Sequence, residues 1–304
     1  MNHVVTNFGH SARERLKNLS KASGRDADYL YQRYAFERFY YRIGRSEYST
    51  RFILKGASLF TLWMGPMFRV TQDTDLESTL TPDHEKIAGA FRAIGAARVP
   101  VDDGVVYDMS SMTVEDIKKQ DVYKGVRVKF DARLEQARIV LQFDIGFGDS
   151  IYPKPEVAEY PTLLGGDPPV LMVYTAVAEK YRAMVELGMA NSRLKDYFDL
   201  WALAGKFQFD FALLQTAVKR SFARSGIAVP SNWPVGLRSD FFDDEAKKRQ
   251  WSAFLRKIKP QSQPESLGVA VRRIRDLLKP VIFQNVDAVV ATWSPQQSAW
   301  INGR

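Results

Sequence analysis

Two aspartates one residue apart, Asp73-Thr74-Asp75, follow the stretch Lys55-Gly56-Ala57-Ser58-Leu59 in a chain of 304 residues. Alternate residues of a strand share a face, so Asp73 and Asp75 are expected to project together beside the turn. Oxygen-rich sites of this kind suit magnesium, which keeps several waters and binds alongside substrate phosphates. Paired ions in such a site can activate an attacking hydroxyl and neutralise a leaving group. A third carboxylate, Asp144, alternates with Phe143 and Ile145. It therefore leaves the core face and can meet the first two across neighbouring strands. A solvated strand edge also carries a bare Asp-x-Asp, so the pattern alone leaves both readings open.

Several groups surround this trio in the sequence. Gly56 allows a tight turn and close approach of a ligand. Amides opening the helix after it can bind phosphate, and Ser58 adds a hydroxyl, although the same residues serve equally as a helix cap. Further on come Glu179-Lys180 and Arg193-Leu194-Lys195-Asp196, with Asp199 three residues beyond. Arg193 and Asp196 are helix-face neighbours, as are Asp196 and Asp199, which a salt-bridged surface explains as well as a site does. Lys180 lies in a mostly apolar stretch, which favours a specific partner for its charge.

The elements that must position these residues divide into two kinds. Residues 10–45 read as helical and aromatic-rich, with Tyr29, Tyr34, Phe36, Phe39 and Tyr40 assigned to core packing. Ala57–Met64 reads as a central helix, Phe68–Leu76 as a strand and residues 83–98 as a helix. Val126, Val128 and Phe130, then Ile139, Leu141, Phe143 and Ile145, alternate with polar residues in the manner of a hairpin. Tyr152–Pro169 is rich in proline and glycine and reads as a linker. Beyond it, Val170–Leu187 and Ser192–Ala204 read as helices, as does most of the remaining chain. These readings give an α+β fold with a small mixed sheet flanked by helices over residues 1–160 and a mainly helical domain over 161–304.

Composition narrows the chemistry. Hydrophobic residues make up 45% and charged residues 26%, enough for a substantial core. There is no cysteine, which removes disulfides, zinc–thiolate sites and cysteine nucleophiles. The three histidines sit in no recognisable motif. A net charge of +8 tilts the chain towards polyanionic partners. No apolar run is long enough to span a bilayer, and the first residues lack a signal-peptide layout, so a cytoplasmic protein without a membrane is expected.

Taken in order, Leu54-Lys55-Gly56-Ala57-Ser58-Leu59, Arg69-Val70-Thr71-Gln72-Asp73-Thr74-Asp75-Leu76, Phe143-Asp144-Ile145-Gly146-Phe147-Gly148-Asp149, Ala178-Glu179-Lys180 and Ser192–Leu200 resemble the AbiEii/AbiGii family of bacterial nucleotidyltransferase toxins. That family lies within the DNA polymerase β-type nucleotidyltransferase superfamily. The resemblance implies a nucleotidyltransferase core and a helical domain that completes the active-site cleft. It implies that Asp73, Asp75 and Asp144 bind catalytic Mg2+ (or Mn2+), and that Gly56, Ala57, Ser58 and Lys180 hold the triphosphate. Arg69 and Arg193 become phosphate contacts and Asp196 a further catalytic position. It also implies an NTP substrate, a tRNA 3′ end as acceptor, release of pyrophosphate and a cognate antitoxin. A protein or small-molecule acceptor, or a non-catalytic RNA- or protein-binding module of the same shape, are the alternatives. Family members commonly have glycine or serine where this chain has Ala57.

Overall fold

The computed structural model describes residues 7–65, 73–117, 125–148, 151–173, 177–283 and 291–302. The chain divides into two compact units: Met1–Asp149 with Pro155–Thr175, and Ser150–Lys154 with Ala176–Arg304.

The first unit opens with α1 (Phe8–Ser23) and α2 (Ala27–Arg45), capped by the side chains of Asn7 and Asp26. It continues through β1 (Phe52–Lys55), a 3-10 turn (Gly56–Ser58), α3 (Leu59–Met64), β2 (Thr74–Ser78) and α4 (His84–Gly95). The remaining strands are β3 (Val105–Ile117), β4 (Gly125–Leu134), β5 (Ala137–Phe147), β6 (Glu156–Glu159) and β7 (Val170–Val173). Among the described residues these strands form a seven-stranded sheet in the order β3-β4-β5-β2-β1-β7-β6. It is mixed: β2 runs parallel to β5 and β1 parallel to β7, and the other pairs are antiparallel.

Alternation decides which side chains enter the core. Leu141, Phe143 and Ile145 of β5 are fully buried, whereas Gln142 and Asp144 between them are only partly covered. On β2, Thr74 and Leu76 are buried, as the period of two requires. Phe39 of α2 lies 4.9 Å from Phe143 and 5.5 Å from Phe91 of α4, centroid to centroid, and Phe130 stacks on Phe143 at 5.7 Å. The aromatic cluster of α2 is thus core. That helix also buries charge in pairs: Arg42 grips Asp103 through two hydrogen bonds, and Glu37 receives Arg38 and the Leu163 amide.

The second unit holds α5 (Val177–Leu187), α6 (Leu194–Lys206), β8 (Phe209–Asp210), α7 (Phe211–Arg224), α8 (Ser239–Phe242), α9 (Glu245–Ile258), α10 (Leu267–Phe283), β9 (Ala291–Ser294) and β10 (Ala299–Asn302). Two indoles pin the terminal β9–β10 hairpin to the helices. Trp293 Nε1 donates to the Ala204 carbonyl at 2.7 Å and Trp300 Nε1 to the Leu277 carbonyl at 3.0 Å.

Two sequence readings are corrected here. Val170–Val173 is a strand, and the described helix spans Val177–Leu187; a short apolar run does not distinguish buried strand from helix by periodicity. The stretch read as a linker, Tyr152–Pro169, carries β6, an edge strand, where flanking prolines are tolerated.

Candidate active site

The site of the first unit is set by strand register. Asp75 of β2 pairs directly with Asp144 of β5, and on its other side with Lys55 of β1. Asp144 in turn faces Arg127 of β4, and Arg127 faces Glu115 of β3. Five charged residues, Glu115, Arg127, Asp144, Asp75 and Lys55, therefore form one row across five strands, with two carboxylates adjacent at its centre. Asp73 immediately precedes β2, at a bend two positions before Asp75. The sheet sets Asp75 and Asp144 side by side on neighbouring strands, and Asp73 lies just before the paired register.

Neighbouring cations offset this concentration of negative charge. Arg127 donates to both Asp144 oxygens, Nε and Nη2 each at 2.8 Å, a bidentate fork. Its guanidinium pKa is raised, first by that hydrogen bond, with Glu115 and Asp73 adding attraction. Gln142 also donates to Asp144 at 3.3 Å. Lys55 reaches Glu77 at 2.7 Å, and Glu77, in phase with Asp75, is only 1% exposed. Lys55, Glu77 and Arg127 were not assigned to the site from sequence, although the alternation read along β4 put Arg127 on the face away from Val126 and Val128.

The turn before α3 is shaped around Asp75. Gly56 has φ +68°, and a Cβ built there would lie 2.0 Å from Asp75 Oδ2. Glycine is needed twice over, for the left-handed backbone and for the room the carboxylate occupies. The positive φ falls on Gly56 and not on Ala57, so the alanine's methyl is accommodated without strain. Ala57 and Ser58 are buried, and Ser58 Oγ accepts from Tyr40 Oη at 3.1 Å. Arg69 lies outside the described residues.

In the second unit, Lys180 of α5 donates to Asp196 Oδ1 at 2.7 Å and to Asp199 Oδ2 at 2.8 Å, both on α6. All three are buried, at 8% exposure for the lysine and none for the aspartates. Arg193 Nε lies 3.1 Å from Asp196 Oδ2 with its side chain 47% exposed. Burial alone would lower the Lys180 pKa, but the two carboxylates outweigh it and the net shift is upward. Burial likewise pushes Asp196 up, and Lys180 and Arg193 overcome it and hold it below the usual carboxylate range. Lys180 keeps one N–H beyond those spent on the aspartates.

The basic residues of α9 and α10 separate into two roles. Lys247 is buried and donates to the Asn191 carbonyl at 2.8 Å, and Arg273 stacks on Trp201 at 5.3 Å. Lys248, Arg249 and Arg272 are exposed.

Among the described residues, no three acidic or imidazole side chains are grouped closely enough to enclose an ion. Both Asp144 oxygens are taken by Arg127. The donor set nonetheless fits a hard divalent cation: carboxylates at paired positions of adjacent strands, with a glycine leaving space against one of them. No helix among the described residues is long and apolar enough to cross a membrane.

A profile of the family described as "Nucleotidyl transferase AbiEii toxin, Type IV TA system" matches residues 38–280, well over half of the chain. None of the curated proteins compared matches. Among solved structures, the chain is similar to one titled a "putative nucleotidyltransferase from H. pylori", at 12% identity and TM-score 0.48, covering 84% of this chain and 95% of that one. It is also similar to JHP933 from Helicobacter pylori, at 13% identity and TM-score 0.42, covering 82% and 93%.

Proposed function

Because the chain belongs to the AbiEii family of nucleotidyltransferase toxins of type IV toxin–antitoxin systems, we propose that it transfers a nucleoside monophosphate from an NTP to the 3′ hydroxyl of tRNA. The observation that carries this reading is the direct pairing of Asp75 with Asp144, with Gly56 packed on the Asp75 carboxylate. Asp73, Asp75 and Asp144 are the residues that would hold magnesium, or manganese in its place. When bound there, the ion neutralises phosphate charge and lowers the pKa of the attacking hydroxyl.

The residues do the rest by placement. The Gly56–Ser58 turn presents backbone amides and the Ser58 hydroxyl to the phosphates. The acceptor oxygen attacks the α-phosphorus, a new P–O bond forms, the bond to the β-phosphate oxygen breaks, and pyrophosphate leaves. The hydroxyl proton passes to the site carboxylates. Positioning and electrostatics supply the acceleration, and no covalent enzyme intermediate is needed. Lys180 and Arg193 serve as phosphate contacts, Lys180 through its third N–H. Asp196 holds both cations in place, and Arg69 is a further phosphate contact. The excess positive charge, with Lys248, Arg249 and Arg272 exposed, supports a polyanionic acceptor.

Incubation with magnesium, each labelled NTP and total tRNA tests the reading. Label is expected in tRNA with the wild type and not with Asp75→Ala, and sequencing of tRNA 3′ ends after induced expression should show the added nucleotide. Label confined to protein or metabolite fractions would refute the tRNA acceptor. Induced expression is expected to arrest growth, and co-expression of the cognate antitoxin to relieve the arrest.

A further inference from the structure

The core of the first unit contains a hydroxyl cluster placed where the two sequence motifs meet. Tyr40 of α2 is 1% exposed, and its Oη lies 2.6 Å from Thr74 Oγ1 and 3.1 Å from Ser58 Oγ. Thr74 is the residue between Asp73 and Asp75, and Ser58 closes the Gly56–Ser58 turn. Both are buried, at 0% and 2% exposure. One phenol therefore ties the aspartate-bearing strand to the turn that packs on Asp75.

The directions of these bonds follow from proton counting. A tyrosine hydroxyl has one proton to give. Tyr40 gives it to Ser58, so the contact with Thr74 is made by the threonine's proton. The chain runs Thr74 to Tyr40 to Ser58, and Ser58 keeps its own proton for a further acceptor. Packing alone does not call for a hydroxyl at this position: the neighbouring core sites 36 and 39 are filled by phenylalanine. A buried phenol is costly unless its oxygen is satisfied, and here both partners belong to the site's own motifs.

We propose that Tyr40 is a positioning residue for nucleotide binding, its hydroxyl fixing the Gly56–Ser58 turn against the strand that carries Asp73 and Asp75. This rests on the reading of that turn as the phosphate-binding element. Tyr40 touches no reacting atom; it sets where the turn's amides and the Ser58 proton stand relative to the two aspartates. Small displacements of such groups are expensive, since a shift of about 1 Å can cost roughly 100-fold.

Equilibrium dialysis with each of the four labelled NTPs and magnesium tests the bridge. Tyr40→Phe keeps the ring and removes the hydroxyl, and is expected to weaken binding by about tenfold or more. Its melting temperature should stay within about 5 °C of the wild type. Thr74→Val should match it, Thr74→Ser should bind as the wild type does, and Tyr40→Phe/Thr74→Val should be no worse than either single change. If Tyr40→Phe does not fold, the Thr74 pair decides, because both variants keep the phenol. Wild-type affinity in Tyr40→Phe, or equal loss in Thr74→Ser and Thr74→Val, overturns the bridge alone. No NTP binding by the wild type overturns the nucleotide-site reading and the bridge with it.

Discussion

Replacing Gly56 by alanine separates two costs that the structure places on one residue. The new Cβ would lie 2.0 Å from Asp75 Oδ2 where real contacts stay beyond 3.0 Å, so the carboxylate or the turn must retreat by at least about 1 Å. Such a retreat moves a reacting-site group by the distance that costs roughly 100-fold in rate. The left-handed backbone adds about 1–2 kcal/mol of strain for any residue with a Cβ. Gly24 has nearly the same φ, +67°, with nothing within 4 Å of a built Cβ. Gly24→Ala therefore carries the strain without the collision. Nucleotidyl transfer and thermal unfolding should be measured on both. Both variants are expected to lose about 5 °C in melting temperature, and only Gly56→Ala should lose about 100-fold in kcat/KM. Activity of Gly56→Ala equal to that of Gly24→Ala would refute the claim that glycine at 56 serves the Asp75 carboxylate.

Other outcomes follow from the charge arrangement. Asp75→Asn should abolish transfer while leaving the fold intact, and circular dichroism with thermal unfolding checks that separation. Arg127→Gln removes a bidentate partner of a partly exposed aspartate, and should cost about 1 kcal/mol in urea unfolding, less at high salt. Lys180→Met leaves Asp196 and Asp199 buried without their ammonium, and should destabilise the chain by about 3–5 kcal/mol, partly restored by adding Asp196→Asn. The same triad predicts a pH dependence with a definite sign. Asp196 has a depressed pKa in the folded chain, so its contribution is present above the unfolded value of about 3.9 and fades as pH falls through the lower folded value. Lys180 is shifted up, so its contribution is complete below about pH 10.4 and fades as pH rises beyond it. Unfolding of wild type and Lys180→Met across both windows measures the difference.

The sequence made the faces of strands legible but not their neighbours. Alternation around Phe143 and Thr74 showed which side each aspartate would take. That Asp75 would stand beside Asp144 required the parallel pairing of β2 with β5, a long-range contact with no local signature. Arg127 was within reach of sequence reasoning, because the two-residue turn at Glu135 and Gln136 fixes every pair of the β4–β5 hairpin, including Arg127 with Asp144. Lys55 and Glu77 escaped because their ion pair joins alternate positions of two antiparallel strands. The strand β3 escaped for another reason. It is an edge strand, exposed or half-exposed along most of its length, and so lacks the apolar alternation that marked its partner β4. The terminal hairpin of β9 and β10 is only four residues per strand, held by Trp293 and Trp300 through contacts distant in sequence.

The central claim is that Asp73, Asp75 and Asp144 gather divalent ions beside a nucleotide's phosphates. Crystals soaked with manganese and a non-hydrolysable NTP test it directly through anomalous scattering. The account predicts manganese density bonded to carboxylate oxygens of Asp75 and Asp144, with the phosphates against the Gly56–Ser58 turn and Arg127 released from at least one Asp144 oxygen. Nucleotide bound elsewhere, or manganese absent from these aspartates while Arg127 keeps both Asp144 oxygens, would contradict it.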